Sequence, residues 1–165
     1  MFVLGIDPGL SRCGYGCVQA GRPAKAVAAG VIRTDPAQAL PLRLAEMQAE
    51  LRSLIAELRP DVVAVERVLF QHNVSTAMGV GMASGLVMAE AAAAGADVVE
   101  YSPNEIKQTV AGSGAAGKDE IGTMVQTLLS LPRRLAPADA ADAVAVALCH
   151  LARVPGTRSR AGLAS

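Results

Sequence analysis

Val62-Val63-Ala64-Val65 is an unbroken apolar run closed by an acid, Glu66, and it narrows the possible folds more than any other stretch of the chain. A strand apolar on both sides has no solvent face, so it sits inside a parallel sheet with helices over both surfaces. The N-terminus repeats the arrangement: Phe2-Val3-Leu4-Gly5-Ile6 ends in Asp7-Pro8-Gly9, an apolar strand followed by turn chemistry. Gly14 to Ala20 and Ala24 to Thr34 continue as two further strands around a Gly21-Arg22-Pro23 turn, which makes an opening meander. From Pro41 the apolar spacing changes to three and four, through Leu44, Met47, Leu51, Leu54, Ile55 and Leu58. That period predicts an amphipathic helix with Pro in its first turn and Pro60 beyond its end.

Past a polar loop, residues 74–96 predict a long helix rich in Ala, Gly and Met, Asp97 to Tyr101 a strand, and Pro103 onward a short helix. Around Thr109 the chain reads equally as an added strand or as the end of that helix. Gly112 to Gly117 is a Gly-rich loop, Lys118 to Leu131 a helix, and Pro137 to Arg153 the last helix. A meander followed by strands alternating with helices describes a mixed α/β sheet covered on both faces. At 165 residues this is one domain, residues 1–153, followed by a flexible tail, 154–165, that carries Arg158 and Arg160.

With 52% hydrophobic and 18% charged residues, whole-chain disorder is excluded. The 15 basic and 15 acidic side chains cancel, so no global field draws the protein to nucleic acid or to a membrane surface. Their distribution is uneven, however. Residues 1–60 carry 7 basic and 5 acidic side chains, 61–106 carry 1 and 6, and 107–165 carry 7 and 4, which leaves room for local basic surfaces. Cys13, Cys17 and Cys149 are odd in number and lack CxxC spacing, against both a disulfide framework and a zinc site, and a reducing cytoplasm fits them. The chain reaches Asp7 without a basic segment or a long apolar core, unlike a secretory signal.

Residues 74–96 are long enough for a bilayer span, but Glu90, several Gly and Ser, and few large aliphatics argue against one. Within them Ala77, Gly81, Gly85 and Ala89 recur every fourth position and leave one helix face smooth, either against its own sheet or against the same helix of a second copy. Gly112 to Lys118 matches the G-x-x-x-x-G-K phosphate loop, but Asp119 stands where Ser or Thr would ligate magnesium, and no clear strand precedes it. A loop presenting Lys118 to a phosphate backbone suits the residues better than a nucleotide cradle, with a plain surface loop as the alternative. His72 and His150 lie far apart and read as non-ligands. Phe70, in the polar loop after Glu66, either stacks on an unpaired base or staples its loop.

Asp139 and Asp142 lie three apart in the first turns of the last helix, about 60° apart around its axis, with Val144, Leu148 and Leu151 on the opposite, buried face. Acids in a first turn are ordinarily just favoured by the helix dipole. If the first and fourth strands are parallel neighbours, however, Asp7 and Glu66 share one edge, and the last helix brings Asp139 and Asp142 over it. Carboxylates gathered so closely repel by up to about 4 kcal/mol per pair at an effective dielectric near 20, and such a cluster demands cations. Oxygen-only ligands select magnesium or manganese over zinc, and four carboxylates can hold two ions about 4 Å apart for in-line displacement at a phosphodiester.

The stretches VLGIDPGLSRCGYG, VAVERV, YSPNEIKQTVAGSGAAGK and PADAADAVAVALCHL together resemble the RuvC family of Holliday-junction resolvases, in order and spacing, to about Ala152. The resemblance implies an RNase H-like fold with a five-stranded mixed sheet, a homodimer, and paired symmetric nicking of four-way junction DNA in recombination and repair. It implies two Mg2+ ions per subunit, replaceable by Mn2+, and hydrolysis by activated water without a covalent enzyme intermediate. A branch-migration helicase complex is implied as partner, in the cytoplasm and without a membrane. Asp7, Glu66, Asp139 and Asp142 match the family's catalytic, metal-binding carboxylates, and Lys107 and Lys118 its basic residues near the cleaved strand. Arg133 and Arg134 join them as DNA-binding candidates, Leu69 or Phe70 stands at the crossover point, and the helix carrying Ala77, Gly81, Gly85 and Ala89 corresponds to the dimer interface. Two rivals are an RNA-acting nuclease of the same fold and a junction-binding scaffold that does not cut; an actin-like ATPase needs a longer chain for its two lobes.

Overall fold

The computed structural model describes residues 1–67 and 74–154, the side chains of 74–76 aside. The meander is present as β1 (Phe2–Asp7), β2 (Arg12–Gln19) and β3 (Lys25–Arg33), followed by α1 (Leu40–Leu58), β4 (Val62–Glu66), α2 (Val74–Ala93) and β5 (Asp97–Tyr101). Three helices complete it: α3 (Pro103–Ala111), α4 (Lys118–Leu128) and α5 (Ala138–Arg153). The five strands form one sheet in the order β3-β2-β1-β4-β5. β1 runs antiparallel to β2 and parallel to β4, so it is the seam between an antiparallel and a parallel half.

The apolar alternation assigns the two layers. Leu4, Ile6, Cys13, Cys17, Ile32, Val63 and Val65 meet Met47, Leu51 and Ile55 of α1 and Ala83, Val87 and Ala91 of α2. Val3, Val18, Val62 and Ala64 meet Ile106, Val110, Ile121 and Val125 through α5. Both surfaces are covered, as the unbroken apolar β4 demands. The three cysteines are buried and free, and burial pushes Cys13 up to about 12 and Cys17 up to about 11, out of thiolate chemistry.

Several boundaries differ from the sequence reading. The long helix stops at Ala93, where Gly95 turns left-handed at φ 80°, and α4 stops at Leu128, with Ser130 at φ 50° and Leu131 N–H returning to Gln126 O at 2.9 Å. Thr109 lies inside α3, so the loop before Lys118 joins two helices and lacks the strand that a nucleotide-binding loop requires. The α5 face opposite the aspartates is not the only one buried: Ala140, Ala141 and every residue from Ala143 to His150 are buried, because α5 lies between the sheet and α3/α4. No helix of the described residues is long and apolar enough to cross a membrane. Residues 155–165, with Arg158 and Arg160, lie outside the described residues.

A capping box starts α3. Ser102 Oγ accepts from Glu105 N–H at 3.3 Å, while Glu105 Oε2 accepts from Ser102 N–H at 2.9 Å. Those contacts, with Arg153 donating to Glu105 Oε1 at 2.6 Å, hold the Glu105 carboxyl down to about 2. Its stabilisation is therefore intact at neutral pH and fades only as pH falls through the ordinary carboxylate range toward 2. Replacing Ser102 by Ala is expected to cost about 1 kcal/mol, read as a lowered urea midpoint at unchanged slope.

Candidate active site

The register of β1 against β4 pairs Leu4 with Val63, Gly5 with Ala64 and Ile6 with Val65, so Asp7 and Glu66 leave the sheet side by side at the carboxyl ends of two parallel strands. What brings α5 over that edge is a floor of glycines. Gly5, Gly14 and Gly16 occupy alternate positions on one face of β1 and β2, and a methyl group on any of them would strike α5. At Gly5 it would meet Ala143 O and lie 2.7 Å from Ala147 N; at Gly14 it would meet Asp139 O and lie 2.8 Å from its carbonyl carbon. The helix backbone thus rests directly on the strands, and its first turns reach the acidic edge.

Asp7, Glu66 and Asp142 line a cleft of about 230 Å³ together with Lys107 of α3 and Lys118 of α4, above Ile106, Ile121 and Ala145. Lys118 Nζ stands 3.5 Å from Asp142 Oδ2. Burial, and then the charges of Glu66, Asp142 and Asp139, push the Asp7 carboxyl up to about 7. Glu66 is raised for the same leading reason, burial, with Asp142 adding to it and the two lysines opposing. Asp142 is raised by burial despite the lysine beside it, whereas Lys118 is held more firmly protonated by Asp142. Desolvation and like charge outweigh the ion pair, and the cleft stores negative charge at a cost.

Asp139 is placed differently. Three residues from Asp142, it does not line the cleft; its Oδ2 accepts from Arg12 Nε at 2.7 Å and also from Arg12 Nη2. Among the described residues no three His, Cys, Asp or Glu side chains are disposed to hold one ion as they stand. The donor set nevertheless suits a hard divalent cation: it is all oxygen, confined to one edge, and electrostatically unsatisfied. Arg134 is drawn to α4, donating to Thr123 Oγ1 at 2.5 Å and lying 3.5 Å from Asp119, while Arg133 is exposed in the turn before α5. Leu69, Phe70 and His72 lie outside the described residues. His150 is buried, its Nδ1 2.9 Å from Tyr101 Oη and its proton affinity lowered by burial.

On α2, Ala83, Val87 and Ala91 face the sheet, whereas Gly81, Gly85 and Ala89 are exposed and Ala77 is half-buried. A methyl at Gly81 or Gly85 would touch nothing within 4 Å. The small-residue stripe therefore does not pack on its own sheet. Sequence reasoning missed the partner of Asp139 and the glycine floor; Gly14 and Gly16, alternating within an otherwise sound strand, were the available sign of a close backbone approach.

A meander joined to a parallel pair, with acids ending the two central parallel strands and more acids on a helix laid across them, defines the RNase H-like nuclease class. Residues 3–150 match the family described as crossover junction endodeoxyribonuclease RuvC. A relative of that name from Salinispora arenicola is 53% identical over all of this chain and 95% of its own length, and one from Streptomyces avermitilis is 48% identical over 94% of this chain and 89% of its own. Among solved structures, Thermus thermophilus RuvC in complex with a Holliday junction substrate superposes with a TM-score of 0.85 at 37% identity, covering 91% of this chain and 92% of that one. The yeast mitochondrial Holliday junction resolvase Ydc2, at 16% identity and a TM-score of 0.66 over 91% of this chain and 78% of its own, shares the fold. The chain belongs to the RuvC family of crossover junction endodeoxyribonucleases.

Proposed function

We propose that the protein resolves four-way DNA junctions by paired, symmetric hydrolysis, with Asp7, Glu66, Asp142 and Asp139 as the carboxylates that hold two Mg2+ ions, Mn2+ being able to substitute. The observation that carries this reading is the acidic cleft itself, where Asp7 is pushed up to about 7 by burial and by its neighbours. Such a group favours either a proton or a cation, and a divalent cation satisfies three acids at once. Bound there, the ions supply Lewis-acid chemistry, lowering the pKa of water and stabilising charge on the departing oxygen. Water adds to phosphorus as one P–O ester bond breaks, and no protein atom becomes covalently linked. Lys118, firmly protonated at the cleft wall, stabilises the developing phosphate charge, and Lys107 on the opposite helix holds the strand. Arg133 and Arg134 extend the basic surface along the α4–α5 turn, and Leu69 or Phe70 acts at the crossover.

A labelled synthetic four-way junction incubated with Mg2+ should give nicks at symmetric positions on two opposed strands that vanish with chelator. Tight junction binding without nicks in either Mg2+ or Mn2+ would leave only a scaffold, and preferential cutting of RNA would redirect the substrate.

Paired nicking needs two cleft copies related by a two-fold axis. The exposed stripe Ala77, Gly81, Gly85, Ala89, with Met78 55% exposed beside it, suits the same stripe of a second copy, since backbones can approach closely across it. Gly85→Arg is expected to convert a dimer into a monomer by light scattering and to uncouple the two nicks, while leaving the protomer folded. A dimer that survives this change would place the interface elsewhere. A branch-migration helicase in the cytoplasm is the partner that would deliver such junctions.

A further inference from the structure

Arg12 opens β2 on the same sheet face as Gly14 and Gly16, the face that α5 covers, and there it reaches Asp139. Directly across the ladder stands Arg33, its register partner on β3. Arg43 of α1 reaches the same corner from the opposite face of the sheet, donating from Nη2 to Ser11 Oγ at 2.6 Å and from Nε to Thr34 Oγ1 at 3.1 Å. Arg12 and Arg33 therefore face each other on the α5 side where β2 begins and β3 ends, beside the acidic edge where Gly14 pairs with Asp7, while Arg43 occupies the same corner on the α1 side of the sheet. Among the described residues, Asp139 is the only carboxylate in an ion pair with any of the three. Like charges facing each other across a strand pair are destabilising, so the Arg12–Arg33 pair is suited to an anion.

We propose that Arg12 is a latch on Asp139: in the free protein it holds this carboxylate away from the cleft, and in the DNA complex it transfers to a backbone phosphate and releases Asp139 to the cation site. The inference rests on the cation-binding reading given above. The side chains of the pair are 43% and 24% exposed, an ion pair of the kind that contributes at most about 1 kcal/mol and is readily given up. A phosphate offers the same guanidinium fork two charge-assisted acceptors, and Arg33, exposed across the strand pair, stands beside it for a neighbouring phosphate. Once released, Asp139 lies less than one helical turn from Asp142. Linkage makes the effect reciprocal: through this contact DNA tightens cation binding by the same factor by which the cation tightens DNA binding.

The test follows Mn2+ binding to the free protein, by loss of the free-ion EPR signal, in wild type, Arg12→Gln and Arg33→Gln. Arg12→Gln is expected to bind Mn2+ about three to five times more tightly, because Asp139 is no longer engaged. Arg33→Gln removes the same charge next door without touching Asp139, and its gain should stay below about twofold in physiological salt. In chelator, the salt dependence of junction binding should lose about one unit of slope in Arg12→Gln and recover it in Arg12→Lys. Unchanged or weaker Mn2+ binding in Arg12→Gln, an equal gain in Arg33→Gln, or an unaltered salt slope overturns the latch. An Asp7→Asn/Asp142→Asn double variant separates the two levels. If Mn2+ binding persists there, or is absent from wild type, the cation site itself fails and the latch with it; if binding is lost there but indifferent to Arg12, the latch alone fails.

Discussion

With Asp7 replaced by Asn, junction cleavage should fall by about a thousandfold or more, junction binding should persist, and the metal-free protein should become more stable at pH 8. The first effect follows from removing the central carboxylate, which sits against Glu66 and across from Asp142. The second follows because the lysines and arginines proposed to bind phosphate are untouched. The third comes from the cost of keeping Asp7 ionised. Its carboxyl is pushed from 3.8 up to about 7, so the folded state favours the protonated form more than the unfolded chain does. The penalty is absent below the unfolded value, grows as pH rises from about 4 to about 7, and is complete above that. Its upper bound is about 4 kcal/mol, at 1.36 kcal/mol per pKa unit. Asn carries no such charge, so the gain in Tm should appear at pH 8 in chelator, shrink toward pH 4, and be matched in wild type by adding Mg2+. A variant less stable than wild type at pH 8 in chelator would refute the electrostatic account, and one that still cuts would remove Asp7 from the catalytic set.

Gly5→Ala is expected to be the most damaging small substitution in the chain. The added methyl would meet Ala143 O and lie 2.7 Å from Ala147 N, both backbone atoms of a helix buried on several sides. No rotamer change relieves a clash with backbone, so α5 must lift from β1 or β1 must bend. Overpacking of this kind costs about 1–3 kcal/mol or more. Because α5 also carries Asp142 to the cleft, the surviving folded protein should lose cleavage beyond what its folded fraction explains. Gly122→Ala is the matching control: the position lies within α4, a methyl there touches nothing within 4 Å, and Ala should stabilise by about 0.5–1 kcal/mol. Equal stability changes in the two variants would show that the glycine floor has no steric role.

The strands, the helices and the two sheet-end acids were legible because each is a local matter. The unbroken β4 and the change of period at Pro41 are properties of neighbouring residues, and a carboxylate that ends a strand reveals itself once the strands are paired. Helix ends were read less well. Ala93 and Leu128 end their helices because of left-handed turns at Gly95 and Ser130, and left-handed geometry at a serine leaves little trace in composition. The orientation of Asp139 was not legible, since Arg12 is 127 positions away and only the folded chain brings them together. Nor was the outward direction of Gly81 and Gly85, because a stripe of small residues fits a sheet and a second helix equally well. Long-range partners decide both, and no local period encodes them.

The placement of α5 against β1 and β2 also fixes when the acidic cleft can form during synthesis of the chain. Strands made first remain incomplete until residues 138–153 have emerged from the ribosome, because the helix that covers their glycines and carries Asp139 and Asp142 is made more than a hundred residues later. A partly translated chain can pair Asp7 with Glu66 but cannot complete the acidic cleft, so the cation site proposed above is assembled only with α5, after the strands, α1 and α2 have been made.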